Sequence, residues 1–226
     1  MSAEKCFTIA PVMSLYLSRS FYVQPTLTVA RQLLGARLVR REGDRRLSGY
    51  ITEVEAYRGE EDLGCHAKAG RTPRTQVMYG PPGHAYVYFT YGMHWMLNVV
   101  TEEEGFPAAV LIRAVEPVEG IEVMRGWRGM EEKTLLCRGP ARLTQAMNIR
   151  QPENGLDFCQ TGSPLWIEAG AKANADEIAI SPRIGLGNTP EPWLSKPWRF
   201  YLKDSPFVSK VAKTRSAADG FFGGRG

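Results

Sequence analysis

The run Ala85-Tyr-Val-Tyr-Phe-Thr90, followed after Tyr91-Gly92-Met93-His94 by the apolar stretch Trp95 to Val100, constrains this chain more than any other feature. Two segments rich in aromatic and branched side chains, joined by a short connection that carries a glycine, read as an antiparallel hairpin. Alternation places Tyr86 and Tyr88 on one face and Phe89 and Tyr91 on the other, and one of these faces must be core. Phe89 is expected to pack in the core or across the strand pair. Tyr91 falls at the approach to the tip, where a large ring has little to pack on. That makes it a candidate wedge or platform for a partner.

The rest of the chain extends this platform. Arg37 to Arg41 and Leu47 to Glu55 read as strands around the turn signal Glu42-Gly43-Asp44, and Ala108 to Ala114 supplies a further apolar strand. Leu165 to Ala169, Glu177 to Ile180 and Trp198 to Lys203 read as strands as well. A helical stripe of Leu27, Ala30, Leu33 and Leu34 follows Pro25 and closes at Gly35. Val118, Ile121, Met124 and Trp127 stand at helical spacing after Pro117, and Pro140 to Met147 forms a helix that Asn148 ends. The 23 Gly and 15 Pro in 226 residues suit many turns between short elements better than a helical bundle. The expectation is one α+β domain over residues 19–210: a curved antiparallel sheet platform with a protruding hairpin and packed helices. Residues 1–18 read as an N-terminal arm and 211–226 as a flexible tail.

Several function classes drop out on composition. The longest uncharged run near the N-terminus, Cys6 to Ser18, is broken by Pro11 and falls short of the roughly 17 to 25 apolar residues a membrane span needs. Its Ser14, Tyr16 and Ser18 do not suit a secretory signal, so a cytoplasmic protein without a membrane partner is expected. Cysteines 6, 65, 137 and 159 form no Cys-x-x-Cys pair and read as buried thiols. His66, His84 and His94 have no zinc-ligand spacing, and no metal or other cofactor is expected. The net charge of +4 is concentrated at the C-terminal end, where residues 181–226 carry +5 and leave −1 for residues 1–180. A nucleic-acid function would therefore rest on local basic clusters and stacking side chains, not on bulk charge.

Two groups of residues could carry chemistry. Glu53 and Glu55 share one face of a strand, and Tyr57 joins them if the strand runs that far; paired exposed glutamates on an edge strand are equally ordinary. Asp62, His66 and Arg74 fall in a glycine-bearing loop beside the platform, where site residues tend to collect. A surface or capping role for His66 fits as well.

Taken together, Glu55-Ala-Tyr57, Asp62 and His66, Arg71-Thr-Pro-Arg74, Pro82-Gly-His-Ala-Tyr-Val-Tyr88, Tyr91-Gly-Met93, Leu97-Asn98, Val110-Leu-Ile-Arg113-Ala, Glu116-Pro117 and Gly139-Pro140 resemble the alkyladenine (3-methyladenine) DNA glycosylase family. The similarity runs in order from about Leu33 to Ser209 and ends in Lys196-Pro-Trp-Arg-Phe-Tyr201 and Ser205-Pro-Phe-Val-Ser209. It implies a monofunctional repair enzyme that flips an alkylated or deaminated purine out of duplex DNA and hydrolyses the N-glycosidic bond, leaving an abasic site.

By that resemblance, Glu55 is the general base that activates water. Arg113 and the backbone near Leu186 hold the water and the carboxylate, with Glu53 in support. Tyr57 and His66 match stacking positions on one side of the flipped base and Tyr88 on the other. Asn98 matches the pocket-floor residue that excludes the exocyclic amine of guanine, and Tyr91 matches the residue that fills the gap left in the minor groove. No lysine matches a nucleophile, which speaks against lyase activity. The implied partner is double-stranded DNA containing damaged purines, bound by a monomer that is nucleoid-associated if bacterial. The pattern departs from the family at His94-Trp95 and in a short segment from Gly126 to Leu136, which bears on affinity and lesion range.

Candidates for phosphate contacts are Arg37, Arg40, Arg41, Arg45, Arg46, Lys196, Arg199 and Lys210, each of which reads equally as a solvated charge. Two rival readings stand beside the enzyme. One is a non-catalytic nucleic-acid-binding module, against which the intact Glu55, His66 and Arg113 weigh. The other is a metal-dependent hydrolase built on the three histidines.

Overall fold

A computed structural model describes residues 16–210, so most of the predicted arm and all of the predicted tail lie outside the described residues. In chain order the strands are β1 (Arg37–Glu42), β2 (Arg45–Arg58), β3 (Ala85–Thr90), β4 (His94–Val100), β5 (Ala108–Glu119), β6 (Leu165–Glu168), β7 (Ile178–Ser181) and β8 (Arg199–Leu202). The helices are α1 (Arg19–Tyr22), α2 (Thr26–Gln32), α3 (Ile121–Arg128), α4 (Lys133–Leu136) and α5 (Pro140–Ala146). The eight strands form one sheet in the order β3-β4-β5-β2-β1-β6, with β8 pairing to β2 and β7 to β8. Every pairing is antiparallel. The α+β platform read from the sequence is the architecture of the chain.

Local chemistry accounts for the main joints. Glu42 pairs with Arg45, so Gly43 and Asp44 alone make the first turn, with Gly43 at a φ of 58° that suits a two-residue hairpin. Of the predicted stripe, Ala30 on α2 and Leu33 and Leu34 just beyond its end are buried in the main core with Ile51, Val54 and Ile112 of the sheet, Leu27 packs partly buried against it, and Val29 is buried as well. A second, smaller cluster, including Cys65, Met78, Tyr86 and Ala109, lies apart from it with Tyr57 and Tyr88 packed against it. Tyr16 bridges Glu168 and stacks on Trp166, tying the start of the described chain to edge strand β6.

Two expectations are corrected. Val118 belongs to β5 and not to a helix: β2 and β5 stay paired as far as Ser48↔Glu119, with Pro117 opposite Gly49 next to a register irregularity, where its missing N–H is tolerated. The helix begins only at Ile121, after Gly120 turns the chain at a φ of 72°. Of the two placements expected for Phe89, the core is ruled out, since it is 44% exposed, and the cross-strand one holds: it pairs with Trp95 across the hairpin, 4.8 Å away between ring centroids.

Strand β2 does most to position the buried carboxylates. It runs 14 residues through Tyr57 and lies between β1 and β5, so Glu53 and Glu55 occupy an interior strand, not an edge. Register shifts on both sides of Glu53 mark a bulge there. Bulges of this kind re-aim side chains and gather at functional sites.

Candidate active site

A cavity of about 270 Å³ opens beside the sheet. Tyr57, His66, Tyr88, Tyr91, Asn98, Arg113 and Leu186 all line it. Residues separated by up to 129 positions in sequence are thereby brought to one cavity by β2, β3, β4, β5, the His66–Ala69 turn and the loop after β7. Glu55 lies directly behind this lining with no exposed surface.

Glu55 is surrounded by donors. Its Oε1 accepts from the Ile184 backbone N–H at 2.7 Å and pairs with Arg113 Nη1 at 3.1 Å, and its Oε2 accepts from the Tyr57 hydroxyl at 2.8 Å. Glu53, also fully buried, accepts from Arg113 Nε at 2.8 Å, Arg199 Nε at 2.7 Å and the Ser209 N–H at 2.6 Å. Two carboxylates and two guanidiniums thus balance one another with little or no exposed surface, and such pairing is the condition under which charges can be buried at all. Burial pushes the Glu53 carboxyl up, but Arg113 and Arg199 outweigh it and hold it below its ordinary value. For Arg113, burial works against the charge, while Glu55 and Glu53 more than restore it and raise its pKa.

The aromatic wall is equally specific. His66 Nδ1 lies 3.0 Å from the Tyr86 hydroxyl, and its ring meets the Tyr88 ring edge-on, with centroids 4.5 Å apart. His66 and Tyr88 are therefore in contact with each other in this conformation. Burial first, then Arg74 and Lys68, pushes the His66 pKa down to about 4, so the imidazole is neutral at neutral pH. Arg74 stands over the Tyr88 ring at 5.1 Å, and Arg183 over the Tyr57 ring at 4.7 Å. Asn98, 3% exposed, donates through Nδ2 to the Tyr86 carbonyl at 2.9 Å, which fixes its amide in the cavity.

At the hairpin tip Tyr91 is 77% exposed and Met93 68%. Tyr91 has a φ of 51° and Gly92 of 69°, and the Met93 N–H bonds back to the Thr90 carbonyl. Positive φ at both central residues is the signature of a type I′ turn, where Asn or Gly is favoured. A tyrosine there costs roughly 1 to 2 kcal/mol of left-handed strain, and it leaves a large ring mostly in solvent at the rim of the cavity.

Two predicted details are adjusted. Leu186 lines the cavity, but the backbone N–H that reaches Glu55 is that of Ile184. Among the phosphate candidates, Arg199 and Arg40 are buried in ion pairs with Glu53 and Glu153. Arg37 and Arg46 pair with Glu119, and Lys196 lies over the rings of Trp193 and Trp198. Arg41, Arg45 and Lys210 are exposed. Sequence reading missed Arg183, whose Gly- and Pro-bearing loop carries no periodic signal, and the structural use of Arg199, whose strand alternation reads as a solvated charge until Glu53, 146 residues away, pairs with it. Among the described residues, no group of three or more His, Cys, Asp or Glu is placed to hold a metal ion. None of their helices is long and apolar enough to cross a membrane.

Comparison with known proteins places the chain in a family. The profile of the methylpurine-DNA glycosylase family matches residues 20–206. The chain is 50% identical over 197 residues to a protein of Methanocella arvoryzae that carries the name 3-methyladenine DNA glycosylase, covering 87% of this chain and 96% of that one. It is 46% identical over 203 residues to a protein of the same name from Alkaliphilus oremlandii, covering 86% and 98%. A third such protein, from Clostridium acetobutylicum, is 46% identical over 206 residues, covering 87% and 98%. The chain belongs to the methylpurine-DNA glycosylase family. It is thus a DNA glycosylase, a hydrolase of alkylation-damage repair whose substrate is DNA.

Proposed function

We propose that this protein takes alkylated purines such as 3-methyladenine, and deaminated purines, out of the duplex into the 270 Å³ cavity and hydrolyses the N-glycosidic bond with a water activated by Glu55. The observation that carries the reading is the asymmetry of Glu55. Its Oε1 already accepts from Ile184 and Arg113, whereas among the described residues Oε2 accepts only from Tyr57, which leaves acceptor capacity for one more donor. A water bonded there gives its proton to Oε2 as its oxygen attacks C1′. The electron pair of the C1′–N bond leaves with the purine, and an abasic sugar remains. The buried carboxylate also stabilises the positive charge that develops on the sugar.

The base, in this reading, parts the His66–Tyr88 contact and stacks against Tyr57 and His66 on one side and Tyr88 on the other. A neutral His66 suits a cationic methylpurine, since a protonated imidazole would repel it. Asn98, held by the Tyr86 carbonyl, blocks the amine of guanine. Tyr91 enters the minor groove in place of the extruded nucleotide. In this reading the protein acts as a monomer and without lyase chemistry; among the described residues, the cavity lining contains no lysine.

The test is release of free base from a duplex carrying 3-methyladenine or 7-methylguanine, with strand breakage appearing only after alkali. Glu55→Gln should keep affinity for the lesion duplex and lose roughly 10² to 10⁴ in single-turnover rate. Excision at the wild-type rate by this variant would overturn the assignment of Glu55.

A further inference from the structure

We propose that Arg183, through its buried pair with Asp62, is a positioning residue for this site: it sets the attitude of the Glu55 carboxylate and of the Tyr57 ring without touching substrate. The inference rests on the proposed role of Glu55 and deepens it.

The arginine joins three segments that the sequence keeps far apart. Nη1 donates to Asp62 Oδ2 at 2.6 Å and to the Ala56 carbonyl at 3.1 Å, while Nη2 donates to Asp62 Oδ1 at 2.8 Å and the Trp193 carbonyl at 3.3 Å. Both side chains of the ion pair have no exposed surface. The guanidinium plane is also confined, between the rings of Tyr57 at 4.7 Å and Trp198 at 5.1 Å. Gly64 makes room for it, because a Cβ at that position would stand 2.8 Å from Nη2.

The fork holds the chain immediately next to it. Ile184 follows Arg183 and delivers the N–H that Glu55 Oε1 accepts at 2.7 Å, from a loop that has no helix or strand between β7 and β8. Ala56, whose carbonyl the fork grips, lies between Glu55 and Tyr57 on β2. Tyr57 in turn donates to Glu55 Oε2, so both oxygens of the carboxylate are oriented by groups that Arg183 anchors. A buried ion pair is poor as a source of net stability. A pair that fastens an irregular loop to a buried carboxylate instead acts on geometry, and geometry of this kind controls rate.

The full chain is compared as wild type, Arg183→Met, Arg183→Lys, Asp62→Asn and Gly64→Ala, on a duplex with a single 7-methylguanine. Arg183→Met and Asp62→Asn should lower the single-turnover rate about 10- to 100-fold, with lesion affinity within about threefold of wild type. The other groups that hold the Glu55 carboxylate, Arg113 and Tyr57, are unchanged in these variants, and so is Glu53 on the far side of Arg113. Arg183→Lys keeps the charge and loses the fork, and should recover part of the rate. Gly64→Ala pushes on the guanidinium without removing it, and should lower the rate by less, again at near-wild-type affinity; it decides the question if Arg183→Met does not fold. Wild-type rates in the folded variants would overturn the inference while Glu55→Gln remained inactive. Failure of wild type to release base would instead strike at the proposed function itself.

Discussion

The back of the cavity and the tip of the β3–β4 hairpin are built on opposite terms. Behind the cavity, Glu53, Glu55, Arg113 and Arg199 are each 7% exposed or less, and each charge has an opposite charge within hydrogen-bond reach. At the tip, Tyr91 and Met93 stand in solvent, and Tyr91 occupies a left-handed turn position that a glycine or asparagine would fill more easily. One region is held by mutual constraints, so that removing Arg113 leaves Glu55, and removing Glu53 leaves Arg199, as a buried charge without its ion-pair partner. The other carries a large side chain that the fold does not need. Chemistry that depends on an exact proton acceptor belongs in the first kind of environment. A contact that must enter a partner belongs in the second.

The contrast can be broken most forcefully from the inside. Arg113→Met leaves the buried Glu55 carboxylate without its cation, while Glu53 keeps Arg199, and should destabilise the protein by about 3 to 5 kcal/mol, read as a fall in the midpoint of chemical denaturation. A change below about 1 kcal/mol would mean that water or another cation reaches Glu53 and Glu55, and that the cluster is less closed than its geometry.

At the tip the expectation reverses. Tyr91→Asn should keep stability or raise it by up to about 1 kcal/mol as left-handed strain is relieved, while affinity for a lesion duplex falls by about 1 to 3 kcal/mol, the worth of one stacking contact. A clear drop in melting temperature with unchanged affinity would make Tyr91 a packing residue after all.

The smallest effect sharpens the boundary between the two regions, where His66 meets the cavity. With its pKa pushed down to about 4 in the folded chain and near 6.5 in the unfolded one, the unfolded state takes up a proton that the folded state refuses. Stability therefore falls as pH drops from about 6.5 toward 4, by less than about 1 kcal/mol per pH unit after solvent screening. His66→Gln should flatten that slope between pH 6.5 and 5, measured by denaturation at several pH values. An unchanged slope would show that His66 is open to water.

Much of this arrangement can be read in the chain before it folds. The two-residue turn at Gly43-Asp44, the inward stripe on α2 and the exposed ring at position 91 follow from local rules of turn chemistry and periodicity. Glu55, Tyr57, His66, Tyr88, Asn98 and Arg113 were legible as a set through their resemblance to a known family, and the fold brings them to one cavity or directly behind it. The helix expected to include Val118 was misread because a period of 3.6 and a strand end look alike over a few residues, and pairing with β2 settled the competition.

What the sequence by itself determined is the inventory: which segments are strands, which ring lacks a packing partner, and which carboxylates share a face. Only the tertiary structure decided what each charge does. Arg199 and Arg40 read as solvated or phosphate-facing side chains, yet partners 146 and 113 residues away bury them. Arg183 carried no signal at all until Asp62, 121 residues away, met it under Tyr57. The reason is physical: a side chain's periodicity is set by its own segment, whereas the role of an ionisable group is set by which opposite charge lies within a few ångströms and how much water lies between them, and both are properties of distant pieces of chain brought together.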